Sequence, residues 1–255
     1  IPQVCVFDTS YHQTMDPTHY MYAIPYEDYE KYKVRRYGAH GTSHKFVAKE
    51  VAKLMDKPLE DLKIITCHLG NGASVSAING GKIVDTSMGF TPLEGLVMGT
   101  RTGDIDPAAV LFLMKQKGMS VEETDDYLNK QSGLLGVSGL SNDFRDIESA
   151  MHERAQLAYD MFALRVKKYI GAYIAELNGF DAIAFTAGIG ENDDRIRASI
   201  CENMENLGLA IDLDKNRGCR KQAEITAEGA KVRAFIVPTN EELAIAQETL
   251  EALGK

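Results

Sequence analysis

Arg101 stands in Met98-Gly-Thr-Arg-Thr-Gly-Asp104, between two glycines and two threonines rather than on an amphipathic face. A guanidinium presented by such a small-residue loop can reach a developing phosphoryl charge with two parallel hydrogen bonds. The same residue could equally be a surface arginine paired with Asp104 or Asp106. His40, just ahead of a helix start, could donate to an anion held there or serve as a structural cap. His68 ends a strand immediately before a Gly-rich turn, where it could line a ligand groove or plug the domain edge; His44 reads as structural. Asp8 and Glu241 each follow an apolar strand pattern, at the edge where ligands of α/β folds gather. Mg²⁺ asks for one or two protein carboxylates and takes its other ligands from water or phosphate. Acids at 241 and 242 beside Asn240 also suit a helix start that needs no metal.

Around these residues lie Gly-rich or polar turns: Asp8-Thr-Ser10, Gly70-Asn-Gly72, Asp85-Thr-Ser-Met-Gly89, Gly188-Ile-Gly190 and Thr239-Asn-Glu-Glu242. Glycine lets backbone N–H groups approach a polyphosphate, although hairpins need such residues for their own sake. Neither standard phosphate fingerprint occurs: G-x-x-x-x-G-K-[ST] is absent, and Asp193 stands where a dinucleotide loop would place its third Gly. Glu191, Asp193 and Asp194 are expected in the first turn of the next helix, where they would repel pyrophosphate, so this loop suits a nucleoside better. No G-x-S-x-G elbow, H-E-x-x-H or Cys/His zinc spacing supports a hydrolase or metalloprotease.

The elements that must position these residues are those of a mixed α/β chain. Residues 3–7 read as a buried strand ending at Asp8. A helix over 46–55 is expected with Thr42 or Ser43 as its N-cap and Pro58 as its stop. Strands at 63–68, 73–78 and 82–86, joined by Gly-Asn-Gly and Asn-Gly-Gly turns, predict an antiparallel meander. Asp106 caps a helix that starts at Pro107 and ends at Gly118, and Ser120-Val-Glu-Glu123 is a capping box. Residues 149–177 carry Met151, Ala155, Ala158, Phe162, Val166, Tyr169, Tyr173 and Leu177 on one helical face, the expected backbone of the core. Strands at 182–186 and 232–237 each run into a polar loop and a helix, the first continuing to about Leu207 and the second to Leu253.

Composition agrees with a large globular fold. The 255 residues are 44% hydrophobic and 25% charged, enough to bury a core without disulfide or metal staples. The net charge of −9 and the lack of a Lys/Arg stripe argue against nucleic acid as a partner. No apolar run reaches membrane-spanning length and no leader pattern opens the chain, so the cytosol is the expected compartment and a membrane partner is not. Cys5, Cys67, Cys201 and Cys219 form no C-x-x-C pair and read as buried free thiols.

Taken together, Arg36-Tyr-Gly-Ala-His-Gly-Thr-Ser-His44, Cys67-His-Leu-Gly-Asn-Gly72, the run from Asp85 to Asp104, Gly188-Ile-Gly-Glu-Asn192 and Thr239-Asn-Glu-Glu242 resemble the acetate kinase family of the actin-like sugar kinase and Hsp70 superfamily. The resemblance extends from residue 4 to the C-terminus in the family's order. It implies an α/β, actin-like (ribonuclease H-like) domain and reversible, ATP-dependent phosphorylation of acetate to acetyl phosphate by direct in-line transfer with Mg²⁺. By the same resemblance, Asp8, His40 and Arg101 are catalytic and Glu241 helps hold Mg²⁺. His68, Leu69, Gly70, Asn71 and Gly72 line the phosphate path, and Asn142, Asp143, Arg145, Gly188, Ile189, Gly190 and Asn192 surround the adenosine of ATP or ADP. Ala39 and Pro92 bound the acyl pocket. Ala39 replaces a Phe found in some relatives, which leaves room for propionate.

The resemblance also implies a homodimer through the long helix and its neighbours. Residues 1–12 are expected to be a remnant of a first actin-like domain, 13–241 the second, nucleotide-binding and dimerisation domain, and 242–255 a helix returning to the first. The family's opening strand with its Asn-x-Gly-Ser-Ser loop and a second phosphoryl-binding Arg have no counterpart, and the first residue is not Met. The expectation is therefore an N-terminally truncated chain, largely inactive alone. A propionate or butyrate kinase, or a noncatalytic nucleotide-binding or dimerisation module, are the competing readings.

Overall fold

A computed structural model describes residues 2–254; the outermost residue of the expected first and last segments, at positions 1 and 255, lies outside that range. Ahead of the sheet come α1 (Pro17–Tyr20), α2 (Tyr26–Tyr32) and α3 (Gly41–Met55). The meander follows as β1 (Lys63–Leu69), β2 (Ala73–Asn79) and β3 (Lys82–Thr86). Next are α4 (Pro107–Lys117), α5 (Val121–Lys130), α6 (Gly133–Ser138), α7 (Phe144–Ser149) and the long α8 (Glu153–Leu177). The last part holds β4 (Ala182–Thr186), α9 (Ala187–Asn192), α10 (Asp194–Cys201), α11 (Leu213–Asn216), β5 (Ala223–Glu224), β6 (Arg233–Ile236) and α12 (Glu241–Ala252).

The strands form one mixed sheet in the order β3-β2-β1-β4-β6-β5. β1 pairs antiparallel with β2 and parallel with β4, which pairs parallel with β6. This is the expected fold class, a mixed sheet with an antiparallel meander flanked by helices. Because strand side chains alternate between faces, the central strands split into two apolar layers. Ile65, Cys67, Val75, Ala77, Ile183 and Phe185 pack with α8 residues such as Phe162 and Val166. Ile64, Ile78, Ala182, Ala184 and Phe235 pack with Val47, Val51 and Ala52 of α3. The second layer turns polar toward the carboxyl end of β1, where Thr66, His68, Ser74 and Ser76 are buried beside Thr42, Ser43 and His44 at the start of α3. That end of the sheet carries the candidate site.

Several local expectations are corrected. Residues 3–7 pair with no strand among the described residues and leave Phe7 67% exposed. Apolar alternation makes a strand only where a neighbour offers hydrogen bonds. α3 begins at Gly41, ahead of the proposed cap residues, with His40 as its N-cap in the left-handed region at φ 60°. The long helix starts at Glu153, so Met151 lies outside it and is fully exposed. α10 stops at Cys201, with only a 3₁₀ turn at Glu205–Leu207 beyond it. Of the thiols, Cys67 and Cys201 are buried, Cys219 is half-buried and Cys5 is exposed. The caps at Asp106 and Ser120 form as expected, the latter as a full capping box. None of the described helices is long and apolar enough to cross a membrane.

Candidate functional site

The loop that presents Arg101 is held at several points. Arg36 donates to the carbonyls of Thr86 (2.8 Å) and Met88 (3.1 Å) and to Glu94 (2.7 Å), pinning the chain where it leaves β3. Tyr22 donates a short hydrogen bond to Glu94 from the other side. Farther along, Gly99 N–H donates to the carbonyl of Asn71 (3.0 Å), while Ser132 and Leu134 N–H groups donate to the carbonyls of Thr100 and Met98. Neither suggested carboxylate partner takes Arg101. Asp104 accepts from Gly95 N–H and Tyr169 and lies 3.6 Å from Arg165, and Asp106 caps α4. Among the described residues the Arg101 guanidinium donates only to the Pro92 carbonyl at 3.4 Å and the Met98 sulfur at 3.8 Å, and it forms no ion pair. Its charge is left available for an anion.

His40 meets Arg101 across Gly72. A Cβ placed on Gly72 would lie 3.4 Å from Arg101 Nη1 and 3.6 Å from His40 Nε2, so both donors border the same small space. Asp8 fixes the backbone here. Its carboxylate accepts from His40 N–H (2.6 Å) and Thr42 N–H (3.4 Å), and its carbonyl accepts from Gly41 N–H (2.8 Å). A residue remote in sequence thus supplies the cap that α3 lacks locally, and it secures the left-handed turn at His40. Asp8 is exposed and Glu241 half-buried. Burial, and then the negative charge of Asp8, push the Glu241 carboxyl above its ordinary value. A divalent cation between these carboxylates would relieve that repulsion. Among the described residues no cluster of three or more His, Cys, Asp or Glu could hold a metal ion. Such an arrangement suits an ion that draws most of its ligands from phosphate and water.

Behind His40 the histidines form a buried group. The His40 and His68 rings stack at 4.0 Å, and His44 is hydrogen-bonded to Thr66 (2.7 Å) and Ser74 (2.8 Å), confirming a structural place for it. His68 bonds through Nδ1 to Ser43, which bonds to Thr239. His68 therefore backs His40 and does not line the open cleft. Burial, and to a lesser extent neighbouring positive charge, lowers the proton affinity of His40, His44 and His68, the last to about 3. His12 is also fully buried, with neither ring nitrogen paired and its proton affinity pushed down to about 4 by burial.

From Asn71 a cavity of about 630 Å³ opens along the carboxyl ends of β1 and β4. It is lined by Gly70, Asn71, Asn142, Asp143, Arg145, Gly188, Ile189 and Asn192, which brings these eight expected site residues together. Gly99, Leu134, Phe144, Glu148 and Arg220 also line it without a signal in the sequence, together with Asp193, which the sequence marks only as a helix-start acid. Four expected members do not: His68 is buried behind His40, Leu69 is fully buried in the core, Gly72 lies beyond the cavity beside His40 and Arg101, and Gly190 is buried with its carbonyl accepting from Arg197. Asp143 and Arg145 pair with each other, and the guanidinium holds the Asp143 carboxyl down to about 2. Ala39 is half-buried next to His40.

The turn after β4 differs from expectation. Glu191 points back to accept from Ala187 N–H (2.8 Å) and Thr239 N–H (3.2 Å), tying this turn to the one after β6, so only Asp193 and Asp194 serve the start of α10. Ala187 is held in the left-handed region at φ 64°. Arg197, fully buried, donates to Gly190, Asn216 and Cys219 oxygens. No sequence signal marked it, because an isolated Arg in an amphipathic helix ordinarily lies on the solvent face.

The fold and the site together define a mixed α/β domain with a glycine-lined cleft at the carboxyl edge of its sheet and, beside that cleft, an Arg that forms no ion pair among the described residues. The particular relationship is close. The acetokinase family model matches residues 1–247, and the chain belongs to that family. It is 58% identical to the acetate kinase of Acetivibrio thermocellus over 253 residues, 98% of this chain and 63% of that protein. It is 60% identical to the acetate kinase of Halothermothrix orenii, again over 98% of this chain and 63% of that protein. The solved structure of Porphyromonas gingivalis acetate kinase superposes with a TM-score of 0.96 at 46% identity, covering 97% of this chain and 63% of that one. A propionate kinase from Francisella tularensis superposes with a TM-score of 0.89, also at 46% identity, covering 95% and 62%. The chain thus spans about 63% of the length of such relatives.

Proposed function

We propose that this chain carries the nucleotide cleft and phosphoryl-transfer donors of an acetate kinase, which interconverts ATP plus acetate with ADP plus acetyl phosphate. The observation that carries the reading is the convergence of Arg101 and His40 on the space over Gly72, one residue beyond Asn71 of the cleft wall. In phosphoryl transfer the protein mainly positions groups and stabilises charge on the equatorial oxygens. Arg101 can donate to such oxygens, His40 Nε2 faces the same point, and the turn at 70–72 brings the phosphates there from the adenosine side. Asp143, Arg145, Gly188, Ile189 and Asn192 border the part of the cleft that suits the nucleoside. Residues 13–241 form the nucleotide-binding half on this reading.

Glu241, with Asp8 close to it, would hold Mg²⁺, which when bound would neutralise the phosphate charge. Asp8 meanwhile keeps His40 in place through its backbone. A cytoplasmic homodimer is part of the proposal. The outer face of α8 supports an interface, since it exposes Leu157, Met161 and Leu164, and Leu111 and Phe112 of α4 are likewise exposed.

The test is hydroxylamine trapping of acetyl phosphate by the full-length protein. Arg101→Ala is expected to lower kcat by roughly 10²–10³-fold, the usual consequence of removing a transition-state donor, and an unchanged kcat would sink the assignment. A propionate kinase is the second reading, favoured by the small Ala39 beside the acyl pocket. Discrimination by one methylene in an apolar pocket is worth only about 1–3 kcal/mol. Comparing kcat/KM for acetate, propionate and butyrate separates the two.

A further inference from the structure

Beneath His40 runs a chain of buried hydrogen bonds whose direction can be worked out proton by proton. Thr66 Oγ1 lies 2.7 Å from His44 Nδ1, His44 Nε2 lies 2.8 Å from Ser74 Oγ, and Ser74 Oγ lies 2.8 Å from His40 Nδ1. Thr66, His44 and Ser74 are all fully buried. A hydroxyl has one proton to donate, and a neutral imidazole has one N–H and one lone pair. Among the described residues, the Thr66 hydroxyl has no hydrogen-bond partner, side chain or backbone, other than His44. Its proton must therefore go to His44 Nδ1 or remain unpaired in the interior, which is costly.

The rest follows from that choice. With Nδ1 accepting, the proton of His44 sits on Nε2 and is donated to Ser74 Oγ. The single proton of Ser74 is then free for His40 Nδ1, and the proton of His40 itself sits on Nε2, the nitrogen that faces Gly72 and Arg101. Reversing the chain would strand the Thr66 proton and turn a bare lone pair toward an arriving phosphoryl oxygen. A His40 protonated on both nitrogens would leave one buried hydroxyl proton unpaired, because Ser74 would have to accept from Nδ1–H: either Ser74's own proton or, with the chain reversed, that of Thr66.

We propose that Thr66, His44 and Ser74 are positioning residues that lock His40 into its Nε2–H tautomer, so that a neutral imidazole donates a hydrogen bond to the transferring phosphoryl group. The lock rests on the acetate kinase reading only for the identity of that anion. The sheet register accounts for the assembly: His68 of β1 is directly opposite Ser74 of β2 and Thr66 is opposite Ser76, so Thr66 and Ser74 share the face that α3 covers with His44.

The test is ¹⁵N-histidine NMR on the 255-residue chain, with the His40 signals assigned by their loss in His40→Gln. Expected is an unprotonated, imine-type Nδ1 and a protonated, pyrrole-type Nε2 for neutral His40. Thr66→Val keeps the shape of the side chain and removes the first donor. The His40 nitrogen shifts should then move toward the average of the two tautomers. In the full-length enzyme kcat should fall in proportion to the competent fraction, about twofold at equal populations. Ser74→Ala, read in the same way, serves if the first variant does not fold, and unchanged His68 signals report an intact site. A wild-type His40 protonated on Nδ1, or a folded Thr66→Val whose His40 tautomer is unmoved, would overturn the lock. Since this readout needs no substrate, absence of acetyl phosphate formation with the tautomer as expected would sink the acetate kinase reading alone.

Discussion

Gly72→Ala separates folding from chemistry at the point where Arg101 and His40 meet. The added methyl carbon would sit 3.4 Å from Arg101 Nη1 and 3.6 Å from His40 Nε2, ordinary contact distances that require no neighbour to move. Gly72 does not occupy the left-handed region, so alanine can take its backbone conformation. Such a Gly→Ala change restricts the unfolded chain and is expected to stabilise by about 0.4–1 kcal/mol, raising Tm by about 1–4 °C at this chain length. The methyl nevertheless fills the space in which a phosphoryl oxygen would approach both donors. One transition-state donor is worth about 2.7–4 kcal/mol. Two donors serving one group are not additive, so the expected fall in kcat is roughly 10²–10³-fold rather than the product of two such losses. Acetyl phosphate trapping in the full-length protein, with thermal unfolding measured in parallel, reads both quantities. A folded Gly72→Ala enzyme with kcat within about twofold of wild type would refute the claim that phosphoryl transfer passes between Arg101 and His40. Weakened ADP binding with undiminished kcat would refute it too, since it would place Gly72 in the nucleotide cleft alone.

Other perturbations probe the surroundings. Outside its own turn of α9 nothing lies within 4 Å of a Cβ added at Gly188, so Gly188→Ala should leave kcat unchanged, hold or slightly raise stability, and raise the KM for ATP, as measured by initial rates over nucleotide concentration. Arg197→Leu leaves carbonyls of Gly190, Asn216 and Cys219 without their donor. Stability should fall by about 1–3 kcal/mol or more in urea unfolding, with ADP affinity lost in calorimetry because Gly190 belongs to the turn bordering the cleft. Burial holds His12 and His68 down to about 4 and about 3 in the folded chain, against an unfolded value near 6.5. Between these values the unfolded state binds protons that the folded state refuses. Stability is therefore complete above about pH 6.5 and is lost as pH falls toward 4 and then 3, at up to about 1.4 kcal/mol per pH unit for each histidine. His12→Leu should make the urea midpoint less steeply dependent on pH between 7 and 5, and an equal slope would exclude His12 as a contributor.

The features legible in the sequence are those whose cause is local. The meander, the Asp106 and Ser120 caps and the long helix each arise from turn chemistry or periodicity contained within a few residues, and each appears within a few residues of its expected bounds. The convergence of Gly70, Asn71, Gly188 and Asn192 on one cleft was legible only through family resemblance, because glycine turns look alike whether or not a ligand fills them. What escaped notice depends on distant partners. Residues 3–7 have the alternation of a strand and no neighbour to pair with among the described residues. α3 is capped by Asp8, more than thirty positions upstream, which no local scan for Ser or Thr would find. Thr66 and Ser74 occur in strands that the sequence marks only as parts of a meander, yet the register places both beneath His44. The informative signal was present as a departure from pattern: a sheet face that is apolar at Ile64 and Ile78 becomes Thr, His and Ser as it nears the carboxyl end of β1. Buried polar side chains are costly unless every donor finds an acceptor. A sequence that keeps them at one end of an otherwise apolar layer must supply a closed hydrogen-bond network there, and here that network terminates on the one histidine that faces Arg101.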